Sequence, residues 1–390
     1  MKICIINNIF YPYSRGGADK IAKIMADGFI ADNDEVFVIA TKPRKNQLKP
    51  DVYHSYFLPS FFDDLKNMPV ILRLAWHFFD MFDIINYFKV RKILQMEKPE
   101  LVITHNLKGL GYLIPRAISG QGIKHFHVLH DIQLIHPSGL VNFGEEKKLD
   151  SLFCKIYTGL SAFLFRKINI VISPSGWLLD FHRDKNIFSN IKSYVIPNPV
   201  LISGKIIEGR KEAIPTFIFV GEMEKHKGVE FLLAVIKEIN KEKLICRINF
   251  VGAGSLSELL KKEMKTSDFI KYLGKLENKE VLKMISSAHA LIMPSLCYEN
   301  SPTVIYEACS QKIPVIASRI GGIPELVHEF GGILFAPGDK NDLIKKIYYL
   351  INNYDMVKSK GDESSGKLEK YSTKKYIKKI KNILNKKAFN

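Results

Sequence analysis

The stretch from Leu291 to Ala308 reads LIMPSLCYENSPTVIYEA, and its reading decides the fold. Ala290 to Met293 is a short apolar run, long enough for a buried strand, which Pro294 and Ser295 end. Glu299 and Asn300 fall in a loop. Ser301 suits an N-cap, and Pro302 suits the first helical position, where a missing N–H loses no intrahelical bond. Val304, Ile305 and Ala308 then give the helix an apolar face. The chain here reads strand, loop, helix.

Such a step presents unpaired backbone N–H groups and the positive end of the helix dipole to whatever precedes the helix. An anion fits there, most simply a diphosphate. Glu307 lies about five residues into the helix, roughly 7 Å from its start. It is placed to accept hydrogen bonds from a diol beside the diphosphate, such as a ribose, with Glu299 on the other side, where a sugar ring would sit. A solvated loop acid and a surface helix acid describe the same two residues, and this stretch alone leaves both readings open.

Outward from it, short β-rich runs alternate with amphipathic helices. Candidate strands in the first half are Ile3 to Asn7, Val36 to Thr41, Val52 to Leu58, Leu101 to Thr104, Phe126 to His130, Ile170 to Ser173 and Tyr194 to Ile196. The second series is Thr216 to Gly221, Ile248 to Gly252, Ile270 to Leu273, Ala290 to Met293, Pro314 to Ala317 and Ile333 to Phe335. The pattern predicts an α/β protein of two doubly wound, Rossmann-like domains enclosing a cleft. Ligands of such sheets bind at the carboxyl ends of the strands, which puts the loops after Asn7, Thr104 and His130 on the working edge. After Asn7, Gly16 and Gly17 precede a helix with the apolar stripe Ile21, Ile24, Met25 and Phe29. Two adjacent glycines let a ligand approach the backbone closely, and they equally make a plain turn.

The pattern PS-x-x-x-E-x-x-P-x-x-x-x-EA, followed by GGIPELV at Gly321 to Val327 and GGILFAPGD at Gly331 to Asp339, resembles the signature of the family 4 retaining glycosyltransferases of the GT-B fold. The resemblance is strong from Phe217 to Asp339 and weaker before it. It implies transfer of a sugar from a nucleotide diphosphate sugar to an acceptor hydroxyl, by a front-face mechanism in which a diphosphate oxygen assists and no side chain is the general base. Lys227, with the helix start at Asn300, Ser301, Pro302 and Thr303, would hold the diphosphate. Glu307 would hold the ribose, and Tyr272 and Leu273 would lie beside the base. Gly16 and Gly17 would meet the donor from the N-terminal side. His130 and Glu299 would contact the donor sugar near the reacting carbon, with His105 and His136 as lesser candidates for acceptor contact.

The same resemblance divides the chain into an acceptor-binding domain at 1–198 and a nucleotide-sugar-binding domain at 199–371, with a C-terminal helix at 372–390 returning to the first. The acceptor would be a saccharide or lipid-linked saccharide of a bacterial envelope polysaccharide, such as O-antigen, capsule or exopolysaccharide. Two positions depart from the pattern. Pro199 stands where the interdomain segment usually has Gly, and Glu222 stands where Arg is common, leaving Lys225 or Arg319 to supply the missing charge. No cofactor is implied, and no metal. Asp32-Asn33-Asp34 spells the D-x-D of metal-dependent transferases but sits between a helix and a strand, where these residues make turns. Gly252-Ala253-Gly254 lacks the third glycine of a dinucleotide fingerprint and reads as a tight turn.

Composition bounds the rest. A chain of 390 residues with 46% hydrophobic and 25% charged residues fits two ordinary domains. The net charge of +17 favours an anionic partner, or is a lysine-rich solvated face; Lys358 to Asn390 alone holds eleven lysines against three acids. Five cysteines without a C-x-x-C pair read as free thiols, and the strand beginning at Ile3 leaves no room for a signal peptide, so a cytoplasmic location is expected, at the inner face of the membrane if a surface docks there. Charges at Arg73, Asp80 and Asp83, and at Lys155, Arg166 and Lys167, interrupt the most apolar helical stretches, so neither spans a bilayer.

Tyr56 to Phe88 contains ten aromatic residues, among them Phe61, Phe62, Trp76, Phe78, Phe79 and Phe82. They form a core helix with its preceding loop, or an aromatic edge at a membrane interface with Lys89, Arg91 and Lys92 behind it. The end of the chain offers a similar choice, an amphipathic helix on the first domain or on a membrane. Two rival functions remain: a sugar-nucleotide epimerase of the same architecture, and a basic nucleic-acid-binding protein, for which no motif is present.

Overall fold

The apolar runs pair, all in parallel, into two sheets. This computed structural model describes residues 1–13, 16–42, 53–59, 68–200, 207, 209 and 211–385. Arg15, Val52, Phe61, Phe62 and the end of the expected 372–390 helix lie outside them.

The first half runs β1 (Lys2–Ile9), α1 (Gly17–Ala31), β2 (Glu35–Lys42), β3 (His54–Pro59), α2 (Val70–Met81), α3 (Ile84–Glu97) and β4 (Leu101–Thr104). It continues through α4 (Ile114–Ser119), β5 (Lys124–Val128), α5 (Leu152–Phe165), β6 (Ile170–Ser173), α6 (Gly176–Asp184) and β7 (Lys192–Val195). The second half opens with β8 (Thr216–Val220), α7 (Val229–Ile239), β9 (Arg247–Val251), α8 (Ser257–Thr266), β10 (Ile270–Tyr272), α9 (Asn278–Ser287) and β11 (Ala290–Met293). It closes with α10 (Thr303–Ser310), β12 (Val315–Ser318), α11 (Ile323–Phe330), β13 (Ile333–Phe335), α12 (Lys340–Asn352), α13 (Tyr354–Ser365) and α14 (Thr373–Asn385).

The strand orders are β3-β2-β1-β4-β5-β6-β7 and β10-β9-β8-β11-β12-β13. Both are doubly wound, and each reverses direction once, between β1 and β4 and between β8 and β11. Those reversals leave crevices at the carboxyl ends of the strands. Helices on both faces explain why the central strands are unbroken apolar runs: Ile3, Cys4, Ile5 and Ile6 of β1 are all fully buried.

The chain forms two compact units. Unit 1 is Met1–Leu140, Glu146–Pro199 and Thr373–Asn390, and unit 2 is Val141–Glu145 and Val200–Ser372. Tyr376, Ile377, Ile380, Ile383 and Leu384 of α14 belong to the core of unit 1, where they join Ile21, Met25 and Phe29 of α1. The apolar face of α14 is therefore inside the protein. The D-x-D stretch is a turn: Asp32 closes α1, Asn33 takes a φ of 62°, and buried Asp34 pairs with the Met1 ammonium at 3.1 Å and with Lys381 at 2.7 Å. All five cysteines are buried free thiols. No helix among the described residues is long and apolar enough to cross a membrane.

Candidate active site

Three loops of unit 2 meet at the carboxyl ends of β8, β11 and β12. The loop after β8 makes a single 3-10 turn, Lys225–Lys227, that ends on Gly228 at a φ of 78°. A Cβ at Gly228 would stand 1.9 Å from the Pro294 carbonyl oxygen, so glycine alone allows this turn to rest on the loop after β11. Leu296 N–H donates to the His226 carbonyl across the same contact at 2.9 Å. From the third loop, Gly321 takes a φ of 61°, and a Cβ there would stand 2.2 Å from the Glu299 carbonyl oxygen, to which Gly322 N–H donates at 2.8 Å.

These contacts bring Lys227 and Glu299 together. The Lys227 ammonium lies 3.0 Å from Glu299 Oε1, and the Ser295 hydroxyl donates to the same oxygen at 2.5 Å. Burial works against the Lys227 charge, but the Glu299 carboxylate outweighs it and holds the Lys227 pKa above its ordinary value. Burial and the Glu299 charge push the Cys297 thiol up to about 12, so it stays protonated. Glu222 is exposed, and its negative charge also favours the Lys227 cation. Where the family commonly has a second cation, this chain has an acid acting on the first. Lys225 leans on Glu230 at 3.7 Å, while Arg319 is exposed on the loop that touches Glu299.

Helix α10 begins one residue later than the sequence suggests. Pro302, at φ −67° and ψ 122°, is the N-cap and Thr303 the first helical residue. Ser301 is not the cap: its hydroxyl pairs with the Tyr306 hydroxyl at 3.0 Å. Proline has no side-chain acceptor, so the N-cap residue itself satisfies none of the first N–H groups of this helix, which follows directly on the loop carrying Asn300 and Glu299. Glu307 is half-buried on the second turn. Tyr272 donates to the Gly252 carbonyl at 3.0 Å and bonds Ser257 Oγ at 2.9 Å, buttressing the turn after β9, and Leu273 N–H is committed to the Phe250 carbonyl at 2.9 Å. Beside them lies an open recess of about 590 Å³ lined by Lys261, Lys262 and Lys265 of α8 together with Tyr272 and Leu273.

The strap at Val141–Glu145 was not foreseen from the sequence. Phe143 N–H donates to Leu296 O at 2.8 Å and Tyr298 N–H to Val141 O at 3.1 Å, which fixes the residues just before Glu299.

In unit 1 the loops after β1, β4 and β5 come together. Buried Asn7 donates to Asp19 Oδ1 at 3.0 Å and accepts from Asn106 N–H at 3.1 Å, joining the β1 and β4 ends. Asp19 Oδ2 takes Gly16 N–H at 3.1 Å, which makes Gly16 the N-cap of α1 and Gly17 its first residue. A Cβ on either glycine would meet nothing within 4 Å, so packing does not require glycine here and the backbone lies open to a ligand. A polar Asn closing an apolar strand was the available sequence signal for this junction.

Strand β5 stops at Val128, so His130 sits on the loop beyond it. His130 Nε2 lies 2.7 Å from His105 Nδ1 with the rings stacked. Burial pushes His130 down to about 4 and His105 well below the ordinary range, so the pair is neutral at physiological pH and shares one proton between the two nitrogens. His105 is fully buried at the end of β4 and supports His130. Asp131 accepts Gln133 N–H at 2.8 Å, and burial raises it to about 6. A small cavity of about 10 Å³ lies among His105, His130, Asp131 and Gln133. His136 bonds the Ser138 hydroxyl at 2.7 Å.

The family model described as Glycosyltransferase Family 4 matches residues 15–202, and the one described as Glycosyl transferases group 1 matches residues 214–353. The chain belongs to the group 1 glycosyltransferases of the GT-B fold. It is therefore a transferase enzyme. This glycosyltransferase is 24% identical to an uncharacterized 42.6 kDa protein of the cps region of Klebsiella pneumoniae, over 86% of this chain and 90% of that protein. It is also 24% identical to the O-antigen biosynthesis glycosyltransferase WbnH of Escherichia coli, over 75% of this chain and 80% of that protein. Among solved structures, Anabaena HepE in complex with UDP-glucose aligns with a TM-score of 0.69 at 15% identity, covering 98% of this chain and 99% of that one. That likeness is one of fold.

Proposed function

We propose that this glycosyltransferase is a retaining enzyme that moves a sugar from a nucleotide diphosphate sugar to an acceptor hydroxyl on a saccharide or lipid-linked saccharide of a bacterial envelope polysaccharide. The observation that carries the reading is the Lys227–Glu299 pair at the β8/β11 reversal, on the loop that leads into α10, whose N-cap proline offers no side-chain acceptor and whose second turn carries Glu307. A cation and fixed N–H dipoles at one point stabilise charge developing on a leaving diphosphate, a preorganised contribution that usually dominates catalysis. Glu307 takes the ribose diol. Tyr272 and Leu273 sit beside the base, and Glu299 takes the donor sugar. His130 is neutral, so it offers a hydrogen bond without a charge. Gly16 and Gly17 offer backbone N–H groups to the donor. A diphosphate oxygen takes the acceptor proton, and no side chain is assigned as base.

The relatives in a cps region and in O-antigen biosynthesis support the polysaccharide setting, and the UDP-glucose bound by HepE supports the donor class. The test is thermal shift with a panel of nucleotide diphosphate sugars, then release of nucleoside diphosphate with and without polyprenyl-diphosphate saccharides, with the product anomer read by NMR. A selective donor, acceptor-dependent release and a retained anomer are expected. Donor conversion without acceptor would make it an epimerase, and no response to any donor would overturn the proposal.

A further inference from the structure

Helix α2 carries exposed apolar side chains. Leu72, Phe78, Phe79 and Phe82 are 56%, 55%, 74% and 39% exposed at helical spacing, while Asp80 and Met81 face inward. Helix α3 continues the surface. Ile84, Ile85 and Phe88 are 59%, 64% and 58% exposed on its first two turns, and the same stripe becomes Lys89 and Lys92 on the next, with Asn86, Val90, Ile93 and Leu94 buried behind it. A core helix does not account for these rings. An apolar stripe that passes into a cationic one is the pattern of a helix lying in a membrane interface.

The charges point to the same partner. The three acids of these helices are engaged within unit 1: Asp80 accepts Gly109 N–H at 2.9 Å, Asp83 caps α3 by accepting Asn86 N–H at 2.9 Å, and Glu97 pairs with Lys2 at 2.7 Å. What remains on the outer side is Lys89 and Lys92, with Arg73 and Arg91 half-buried. Helix α4 packs against both α3 and α5. On α5 the pattern recurs, with Leu152, Ile156 and Phe163 exposed beside Lys155, Arg166 and Lys167. Exposed apolar side chains clustered along neighbouring helices mark an interaction site, and the cations beside them select a negative surface.

We propose that the consecutive helices α2 and α3 dock on an anionic lipid bilayer, with the rings of α2 and the first turns of α3 in the interface and Lys89 and Lys92 among the headgroups. This deepens the acceptor reading by giving a lipid-linked saccharide a surface from which to be delivered, and it needs no knowledge of the donor.

The test is co-sedimentation of the full chain with vesicles of equimolar phosphatidylglycerol and phosphatidylcholine, and with phosphatidylcholine alone. Binding to the anionic vesicles is expected to be about tenfold or more the stronger. Phe79→Glu with Ile85→Glu should abolish binding to both, and Lys89→Glu with Lys92→Glu should remove the anionic preference; all four sites are exposed, and an unchanged circular dichroism melt verifies the fold. The proposal is overturned if the native chain stays in the supernatant with anionic vesicles, if the Phe79/Ile85 variant still pellets, or if light scattering shows a dimer that this variant dissociates. No sugar enters the assay, so its failure leaves the transferase reading standing, and the converse holds too.

Discussion

Lys227 Nζ and Glu299 Oε1 stand 3.0 Å apart on two loops held together by Gly228 against Pro294, with Gly321 of a third loop resting against Glu299. The cation expected at the diphosphate and the acid expected at the sugar thus form one ion pair, and each positions the other. Lys227→Ala should weaken nucleoside diphosphate binding by about 1.5–3 kcal/mol, the scale of hydrogen bonds to charged groups. It should also lower stability by about 1–3 kcal/mol, between exposed and buried pairs. Calorimetry and urea unfolding read the two effects, and unchanged binding would remove Lys227 from the site.

Glu307→Ala should weaken nucleotide binding by about 1–3 kcal/mol. The loss should vanish for a nucleotide whose ribose lacks both hydroxyls. Equal losses for the two ligands would mean that Glu307 does not hold the diol.

Gly228→Ala should destabilise unit 2 by more than about 2 kcal/mol, because a left-handed backbone and a backbone clash add. The variant should melt earlier, while an alanine at Gly16, where a Cβ meets open space, should leave the melt unchanged.

Unit 1 should lose stability on acidification. Burial pushes His125 down to about 3 and His130 and His182 to about 4, with His105 and His127 also well below the ordinary range. Their unfolded pKa is about 6.5, so below that pH the unfolded chain binds more protons, and stability falls until the folded values are reached. Asp80 and Asp131, raised to about 7 and 6, act the other way, but they are two against five. The urea midpoint should drop between pH 7 and about pH 4.5. His182→Gln should make that slope shallower; an unchanged slope would show that the histidine does not contribute.

The sheets were legible because their strands are buried on both faces. Leu101–Thr104, Ile170–Ser173, Ala290–Met293 and Ile333–Phe335 begin and end where their apolar runs do. Ends governed by competing local contacts were not legible. Ser301 has the chemistry of a cap, yet its hydroxyl goes to Tyr306, and the preset backbone of Pro302 takes the position. The support of His130 by His105 was hidden for another reason: both were seen at strand ends, but the adjacency of β4 and β5 that joins them is a property of the sheet. The outward rings of α2 were an open choice in the sequence, since an apolar stripe does not say which way it faces.

The placement of α14 has a consequence for how the protein is made. Its apolar residues complete the core of unit 1, yet they are translated after all of unit 2. On the ribosome, the N-terminal unit must wait with the bare face of α1 exposed until the last helix emerges. A nascent chain cut short before Thr373 would carry that uncovered face permanently and be a natural target for chaperones and proteases.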